Sequence, residues 1–486
     1  MKIHRQQFEA LRPLDLRSCH TVADIIDGMS HCSFGARMLG EVSATIAHWV
    51  EAGIPPITVS YVRPASRLGH LLKTMAAQRW LGDVLTAGEH TTSVQSTHRH
   101  PVLVVGSYPE TDEWLWRNRR RSTIFINQFG QARPGQVRDG YFPNVVFADP
   151  RFIIPLLSAY LDERLAGRPT TISQFLRTCA RLGGEAAAVA HGACTVRAMV
   201  EDAQCTVFST FAGAMTPAKM GLVICDMIDL GMTQFIASTG ALMAHGLVEG
   251  LGRTHYKYNP QHSDAILARR KLNRITDTLE PEENFDAVEE VITHVLEADN
   301  EQLTISPVEL HRRIGQYLAE HYPQHRGILK SAYQQAVPIA VPAFVDSEIG
   351  NDVFVYNARR RAASLPGICW DLENDTELLV ETATRAKRLG IFSIGGGVPR
   401  NNVQNVAPLI EIYNARRTRG MKRLPPRLFR YGCRIDPAPL HFGNLGGASY
   451  SEGGSWRKMD LAGRFSEIRL DATIVLPFIV KYVMET

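Results

Sequence analysis

The pattern of apolar and polar residues alternates between helix and strand periods from about residue 170 onward. The segment 171–202 (TISQFLRTCARLGGEAAAVAHGACTVRAMVED) has apolar residues at helical spacing. The segment 205–215 (CTVFSTFAGAM) is typical of a buried strand that enters a glycine-containing turn. The segment 233–241 (TQFIASTGA) repeats this arrangement, since a short apolar run leads into small residues and then into a further helical pattern.

Three later segments continue the alternation. VPIAVPAFVDSEIGND (337–352) predicts a strand that ends in a carboxylate-rich loop. IFSIGGGVPRNNVQNVAPLIEIY (391–413) predicts a strand, a turn of three glycines and a helix that begins near Pro399. IRLDATIVLPFIVKYVME (468–485) predicts a last strand and helix. Alternating strands and helices predict an α/β fold with a doubly wound, Rossmann-like parallel sheet and helices on both faces. Ligands of such sheets bind at the carboxyl ends of the strands.

Two segments of the N-terminal third match the C-terminal part in the same order. Residues 21–52 align without gaps on 171–202, with Thr21 opposite Thr171. Residues 147–161 (FADPRFIIPLLSAYL) align on 469–483 (RLDATIVLPFIVKYV). Chance similarity between amphipathic elements is the alternative interpretation.

The repeat predicts a division of the chain near residue 165. Under this hypothesis, residues 1–165 form a smaller α/β region that is a shortened, diverged copy of the domain at 166–486. The first region lacks a match to the lysine-bearing segment described below, so we predict that it is noncatalytic.

Composition excludes several classes of function. A net charge of +4 over 486 residues does not indicate nucleic-acid binding, and the basic run 117–122 (RNRRRS) is typical of a solvated face. Neither a transmembrane segment nor a signal peptide is predicted, so we expect no membrane partner. The eight cysteines form no CxxC pair, which favours reduced thiols in a cytoplasmic protein and no metal site.

One short segment contains residues suited to amine chemistry. In SEGGSWRKMD (451–460), Lys458 follows Trp456 by two positions and Glu452 by six. A nucleophilic lysine must lose its proton, and Arg457, Arg464 and the indole could lower its pKa. From composition alone, a surface loop of small residues is the commoner explanation of this segment.

Residues 170–486 resemble the deoxyhypusine synthase family. The matching landmarks appear in family order: CTVFSTFAGAM, the ASTGA turn, PAFVDSEIG, IFSIGGGV, SEGGSWRKM and LDATIVLP. The resemblance implies that NAD oxidises a polyamine, either spermidine or putrescine, and that Lys458 captures the aminobutyl group as an imine. A second amine then accepts this group before the hydride returns.

The resemblance also implies roles for individual side chains. Trp456 would pack on the polyamine and Glu452 would bind its ammonium, with Asn401 and Asn405 in the substrate site. The implied cofactor-binding residues are Gly395, Gly396, Gly397, Asp346, Asp471 and Thr239. Because the family's sites lie between subunits, a homo-oligomer, dimer or tetramer, is expected.

Several positions depart from the family pattern. Asn401 replaces a histidine that is expected to contact the polyamine. Met243 and Ala244 replace an acidic pair, and nearby His245 is interpreted as structural. The segment 436–450 (DPAPLHFGNLGGASY) has lost the family's aspartate-rich character.

These departures leave three interpretations. The first is an aminobutyl transferase whose acceptor is a small amine, similar to homospermidine synthases. The second is deoxyhypusine synthesis on a protein lysine. The third is an inactive regulatory partner, and the retention of Lys458, Trp456 and Glu452 in one segment argues against it.

Overall fold

The computed structural model has an α/β architecture with parallel sheets and flanking helices, as the alternating pattern predicted. It describes residues 8–86, 100–106, 123–127, 144–298 and 303–485. The basic run at 117–122 lies outside these residues.

The strands of the described residues form two parallel sheets and two small ones. In chain order they are β1 (Ile57–Ser60), β2 (Val84–Thr86), β3 (Val102–Val105), β4 (Thr123–Asn127), β5 (Val145–Phe147), β6 (Cys205–Phe211), β7 (Phe235–Ser238), β8 (Tyr256–Lys257), β9 (Leu272–Ile275), β10 (Thr278–Pro281), β11 (Thr304–Ile305), β12 (Ile339–Ala340), β13 (Cys369–Trp370), β14 (Arg388–Ile394), β15 (Phe429–Ile435) and β16 (Met459–Ile468).

The α-helices of the described residues connect and cover these strands. They are α1 (Val22–Met29), α2 (Phe34–Glu51), α3 (Arg67–Ala77), α4 (Pro150–Ala166), α5 (Ile172–Leu182), α6 (Gly184–Glu201), α7 (Gly221–Asp229), α8 (Gly240–Gly250), α9 (Asp264–Arg269), α10 (Glu282–Glu297), α11 (Pro307–His321), α12 (Ile328–Gln334), α13 (Glu348–Ala362), α14 (Leu372–Arg385), α15 (Gly397–Gln404), α16 (Val406–Arg416), α17 (Tyr450–Ser455) and α18 (Ala472–Met484). None of the helices that the structure describes is long and apolar enough to cross a bilayer.

The larger sheet has the order β12-β7-β6-β14-β15-β16 with every pair parallel. Its inner strands are buried along most of their length, which explains why their sequences are continuous apolar runs. Phe208 of β6 contacts Phe235 on the neighbouring strand β7 and Phe429 on β15, two strands away, with ring centroids 5.5 and 6.0 Å apart. Of the strand and carboxylate-rich loop predicted at 337–352, the strand is the two residues of β12, and Glu348 and Asp352 lie on α13 instead of in a loop.

The smaller sheet has the order β2-β1-β3-β4-β5, again with every pair parallel. The strands β7-β6-β14-β15-β16 of the larger sheet have the same arrangement, because in both sets the second strand along the chain lies at the edge, beside the first, and the third, fourth and fifth follow in order. Helices α2 and α6, which the sequence alignment placed opposite each other, are both 18 residues long. The helices before them begin with the same capping box, on Thr21 and on Thr171.

The chain divides into two compact units that do not follow the predicted boundary at residue 165. One unit contains Leu14–His191 and Thr473–Tyr482, and the other contains the rest. Inside the first unit, Phe152 of α4, Phe175 of α5 and Phe478 of α18 pack their rings together. Helices from both sequence repeats therefore share one apolar core.

Candidate active site

The segment around Lys458 is a short helix followed by a tight turn. Ser449 caps α17, because its Oγ accepts a 3.0 Å hydrogen bond from the backbone N–H of Glu452. A Cβ on Gly453 would lie 2.9 Å from Cγ of Met459, and one on Gly454 would clash with Leu461. The glycines therefore allow α17 to lie directly on β16. This packing explains why the segment is rich in small residues.

Lys458 lies just before β16 and reaches a helix that follows the glycine turn. Its Nζ donates a 3.0 Å hydrogen bond to Oδ1 of Asn401 on α15, and it lies 5.7 Å from the centre of the Trp456 ring. Burial and the charge of Arg400 lower the pKa of Lys458, while Glu452 acts in the opposite direction. A larger fraction of this amine is therefore unprotonated than in a free lysine.

The positive charge beside Lys458 comes from Arg400, not from the two arginines that the sequence indicated. Arg457 is mostly exposed and pairs with Glu411 at 2.5 Å, and Nε of Arg464 donates a hydrogen bond to Thr195. Arg400 is 3% exposed, and its guanidinium carbon lies 5.2 Å from the centre of the Tyr450 ring. The expectation about Arg457 and Arg464 was wrong because sequence proximity does not reveal which residues α15 brings to the site.

Arg400 is held in an unusual environment. Its Nη1 donates a 2.7 Å hydrogen bond to the backbone oxygen of Leu445, while its buried Nε has no hydrogen-bond partner among the described residues. Burial lowers the pKa of Arg400, but arginine stays protonated at neutral pH. The site thus contains a fixed cation behind the lysine amine.

The other substrate residues predicted from the sequence lie on both sides of Lys458. Trp456 is 65% exposed and Glu452 is also exposed, so this side is open to solvent. On the other side, Asn401 and Asn405 line a cavity of about 350 Å³ together with Val398 and Leu445. The lysine hydrogen bond to Asn401 connects its amine to a residue that lines this cavity.

The three glycines after β14 have different surroundings. Gly395 has φ +74°, and a Cβ there would lie 3.1 Å from the backbone oxygen of Ala212. A Cβ on Gly396 would clash with the backbone of Gly446. Nothing lies within 4 Å of the Cβ position of Gly397, which begins α15 at φ +64°. Only Gly397 therefore faces open space.

The residues that follow Thr239 and Asp346, Gly240 and Ser347, approach each other closely. Thr239 precedes α8 but its side chain makes no capping hydrogen bond, so the first N–H groups of this helix keep their capacity to bind an anion. A Cβ on Gly240 would clash with Ser347, the residue after Asp346. Asp471 lies after β16, two strands from the glycine turn in the sheet order. These positions all follow the carboxyl ends of strands.

Two carboxylates that the sequence interpretation missed lie on the helix after Asp346. Glu348 and Asp352 are one turn apart on α13, and each has a buried oxygen without a hydrogen-bond partner among the described residues. Burial and the charges of Glu289 and Glu348 raise the pKa of Asp352 to about 7. Met243 and Ala244, by contrast, are fully buried on α8. The spacing of Glu348 and Asp352 was the available signal, since residues four apart share a helix face.

His245 belongs to a buried hydrogen-bond network, as its structural interpretation implied. Its Nδ1 lies 2.9 Å from Oε2 of Glu280, which also contacts Nε2 of His255. Lys219 lies 2.8 Å from Nδ1 of His255, so that nitrogen accepts and Nε2 must donate to the carboxylate. The three groups lie close enough to hold a metal ion, but this tautomer leaves Nε2 of His255 no lone pair for one. We interpret the cluster as structural.

The cysteines are consistent with the expected absence of disulfides. All eight lie in described residues and none forms a disulfide. Burial raises the pKa of Cys205 to about 12, and the same effect raises the pKa of the Cys179 and Cys433 thiols further. These thiols are not activated nucleophiles.

Comparison with known proteins supports the resemblance seen in the motifs. The family model "DS: Deoxyhypusine synthase" matches residues 174–483. The chain is 31% identical over 281 residues to a probable deoxyhypusine synthase 2 of Methanosarcina acetivorans, covering 58% of this chain and 77% of that protein. It is 29% identical over 309 residues to the probable deoxyhypusine synthase 2 of Methanosarcina mazei, covering 64% and 85% of the two chains. A deoxyhypusine synthase-like protein of Chlorobaculum tepidum is 28% identical over 295 residues, covering 60% and 81%.

Proposed function

Because the chain belongs to the deoxyhypusine synthase family, we propose that it transfers the aminobutyl group of spermidine or putrescine to a second amine through an imine of Lys458. It is an NAD-dependent transferase of alkyl groups, as members of this family are. The observation that most supports a covalent role is the environment of Lys458. Its amine has a lowered pKa, is oriented by Asn401 and has the buried cation Arg400 behind it.

Bound NAD supplies the hydride acceptor that converts a donor amine into an imine, and the hydride donor that reduces the product imine. In the step assigned to Lys458, its neutral Nζ attacks the imine carbon and forms a new C–N bond. The bond from that carbon to the donor nitrogen then breaks, and the departing amine leaves with a proton lost by Nζ. No redox change occurs in this exchange.

The side chains around Lys458 suit a cationic substrate. The exposed indole of Trp456 offers a face for an ammonium, a contact worth roughly 0.5–2 kcal/mol. Glu452 supplies a carboxylate on the same side of the segment, and Asn405 offers amide groups in the cavity beside Asn401. We assign these residues to polyamine binding.

The residues present fit a dinucleotide. The uncapped N-terminus after Thr239 and the open face of Gly397 provide N–H groups and space for a pyrophosphate. Asp346 is exposed next to this position and could accept hydrogen bonds from a ribose. Gly395 and Gly396 act indirectly, because they let neighbouring backbone segments approach the turn. We propose that Asp471 is a further cofactor-binding residue.

Two acceptors are consistent with this chemistry. A small amine, as in homospermidine synthesis, is favoured because the segment 436–450 has lost the family's aspartate-rich character. Its remaining aspartate, Asp436, already accepts a hydrogen bond at Oδ1 from the N–H of Ala438. A protein lysine, as in deoxyhypusine synthesis, is favoured by the names of the relatives. We propose the small amine first and keep the protein lysine as the second candidate.

We propose that residues 1–165 are a shortened, noncatalytic copy of the domain at 166–486. The common strand order of the two sheets supports this proposal, and so do the matching capping boxes on Thr21 and Thr171. We also propose a cytoplasmic homo-oligomer, because none of the eight cysteines forms a disulfide and because Trp456, Val345 and Phe354 expose large apolar side chains.

The reaction can be tested by intact mass spectrometry. The full chain is incubated with NAD and either spermidine or putrescine, and then reduced with borohydride. We expect a mass gain of one aminobutyl group that is absent in Lys458→Arg and retained in Lys422→Arg, a matched change at an exposed lysine. Failure to form an adduct with either polyamine in folded protein would contradict the proposal. Adding free diamines or an acceptor protein before reduction would then distinguish the two acceptors by which one discharges the adduct.

A further inference from the structure

A second cavity of about 810 Å³ lies at the amino end of the edge strand β12. Its walls come from α11, α12 and α14 and from the residues that lead into the strand, Val337 and Pro338. This volume is within the range of small-molecule sites. Neither Lys458 nor the glycine turn lines it, so it is separate from the candidate active site.

A buried histidine lines this cavity with an unused acceptor. His311 is 2% exposed, and its Nδ1 lies 2.9 Å from the backbone oxygen of Ile339. Nδ1 must therefore carry the proton, and burial lowers the pKa of His311 to about 4, so the ring is neutral. Its Nε2 is then an acceptor, and it has no hydrogen-bond partner among the described residues. Such a group favours a ligand that donates a hydrogen bond.

The rim of the cavity is acidic. Glu377 and Glu381 are one turn apart on α14, and both are exposed. Glu381 pairs with Arg385, whereas Glu377 makes no ion pair within the described residues. Glu309 on the opposite wall is neutralised by Arg312 and Arg313, at 2.7 and 2.8 Å. The carboxylate of Glu377 on α14 is therefore the rim charge that no cation of the described residues pairs, whereas the wall at Glu309 carries two positive charges for one negative.

The walls between the rim and the histidine are mostly apolar. Leu329 and Ala332 are almost fully buried, and Val308 and Leu378 complete the surface. A suitable ligand has a donor at its inner end, a short hydrocarbon chain and a positive charge at its outer end. A monoprotonated aliphatic diamine has these features.

Helix α14 separates this cavity from the one beside Lys458. Glu377 and Glu381 face the larger cavity, whereas Thr376 and Leu379 of the same helix line the 350 Å³ cavity together with Asn401. The two sets lie on opposite sides of the helix, since each residue advances by about 100°.

We propose that the larger cavity is a second, noncatalytic binding site for a short aliphatic diamine. One amino group donates N–H to Nε2 of His311, and the other, as an ammonium, pairs with Glu377 and Glu381. The proposal does not depend on the reaction proposed above, because binding is measured with the reactive amine removed.

The test is calorimetric titration of 1,5-diaminopentane into the full chain with Glu452→Gln, Trp456→Ala and Lys458→Arg. These changes remove the carboxylate, the indole and the reactive amine that we assign to the candidate active site. We expect saturable binding of one diamine per chain. The further pair Glu377→Gln and Glu381→Gln should raise Kd at least about tenfold, while Glu373→Gln, an exposed change on the same helix outside the cavity, should leave Kd unchanged.

The inner contact is tested by His311→Asn. An asparagine amide can still donate to the backbone oxygen of Ile339 but removes the acceptor at Nε2, so the fold is retained and Kd should rise roughly tenfold. A thermal melt similar to that of the parent protein checks the fold. The proposal is overturned if the parent binds no diamine saturably, or if Kd is unchanged by either the glutamate pair or His311→Asn.

Discussion

Nζ of Lys458 and Oδ1 of Asn401 form a 3.0 Å hydrogen bond that joins the segment before β16 to the helix after the glycine turn. An amide accepts this hydrogen bond without adding a negative charge. The proton on Lys458 is therefore less stabilised than it would be beside a carboxylate, which suits an amine that must act as a nucleophile.

Replacing Asn401 by aspartate should reverse this effect. The added carboxylate would stabilise the ammonium form of Lys458 and raise its pKa by about one unit or more. We expect the pH profile of adduct formation to move to higher pH, with a correspondingly slower reaction at pH 7. The rate measured from pH 6 to 10 checks this, and an unshifted profile would contradict the assigned role of Asn401.

Arg400 should influence the same profile through its charge. Arg400→Gln removes the cation that lowers the pKa of Lys458, so the pH midpoint of adduct formation should rise. Arg457→Gln is the matched control, because Arg457 is exposed and pairs with Glu411. Equal profiles for the two variants would exclude Arg400 as the source of the shift.

Asp352 should reduce stability at high pH. Its pKa in the folded protein is about 7, above the ordinary value of 3.8, so the folded state binds the proton more tightly than the unfolded state. This contribution to stability is full below about pH 3.8 and is lost as pH rises through 7. Asp352→Asn should therefore increase the free energy of unfolding at pH 8 by about 1 kcal/mol, allowing for solvent screening.

The check is denaturant unfolding at pH 5 and pH 8. The stabilisation of Asp352→Asn should be larger at pH 8, and Asp286→Asn, an exposed carboxylate on α10, should show no such difference. A stabilisation that is equal at both pH values would contradict the assigned pKa of Asp352.

Glu280 should contribute to stability in the opposite pH range. Hydrogen bonds from His245 and His255 lower its pKa from 4.5 to about 2 despite its burial. This stabilisation is present above about pH 4.5 and is lost as pH falls towards 2. Glu280→Gln should reduce the free energy of unfolding at pH 7 by about 3 kcal/mol, because it leaves buried donors poorly paired. Thermal melts of Glu280→Gln and of the exposed-site control Glu290→Gln test this prediction. Equal melting temperatures for the two variants would disprove it.

Alanine substitutions at Gly396 and Gly397, the second and third glycines of the turn, should have different effects. Gly396→Ala should destabilise the fold, because its methyl group would clash with the backbone of Gly446. Gly397→Ala meets no neighbour, but its positive φ costs about 1 kcal/mol, and the methyl group would project into the proposed cofactor space. We therefore expect Gly397→Ala to remain folded and to bind NAD more weakly. Fluorescence titration with NADH measures this, and unchanged affinity would remove Gly397 from the cofactor site.

The sequence by itself determined the fold class, the family and the candidate nucleophile. Continuous apolar runs that end in small residues indicate buried parallel strands wherever they occur, because the pattern reflects burial on both faces of a sheet. The SWRK segment and the glycine turn were recognisable for a similar reason, since each is a local string with a fixed spacing.

Only the tertiary structure decided which residues act together. Arg400 lies 58 positions before Lys458, and Glu348 and Asp352 lie on another helix, so no local pattern associates them with the lysine or with the turn after β7. The two compact units likewise cross the repeat boundary, because Phe478 packs with Phe152 and Phe175 from far along the chain. Charge effects and core packing depend on distance in space, which a sequence pattern does not contain.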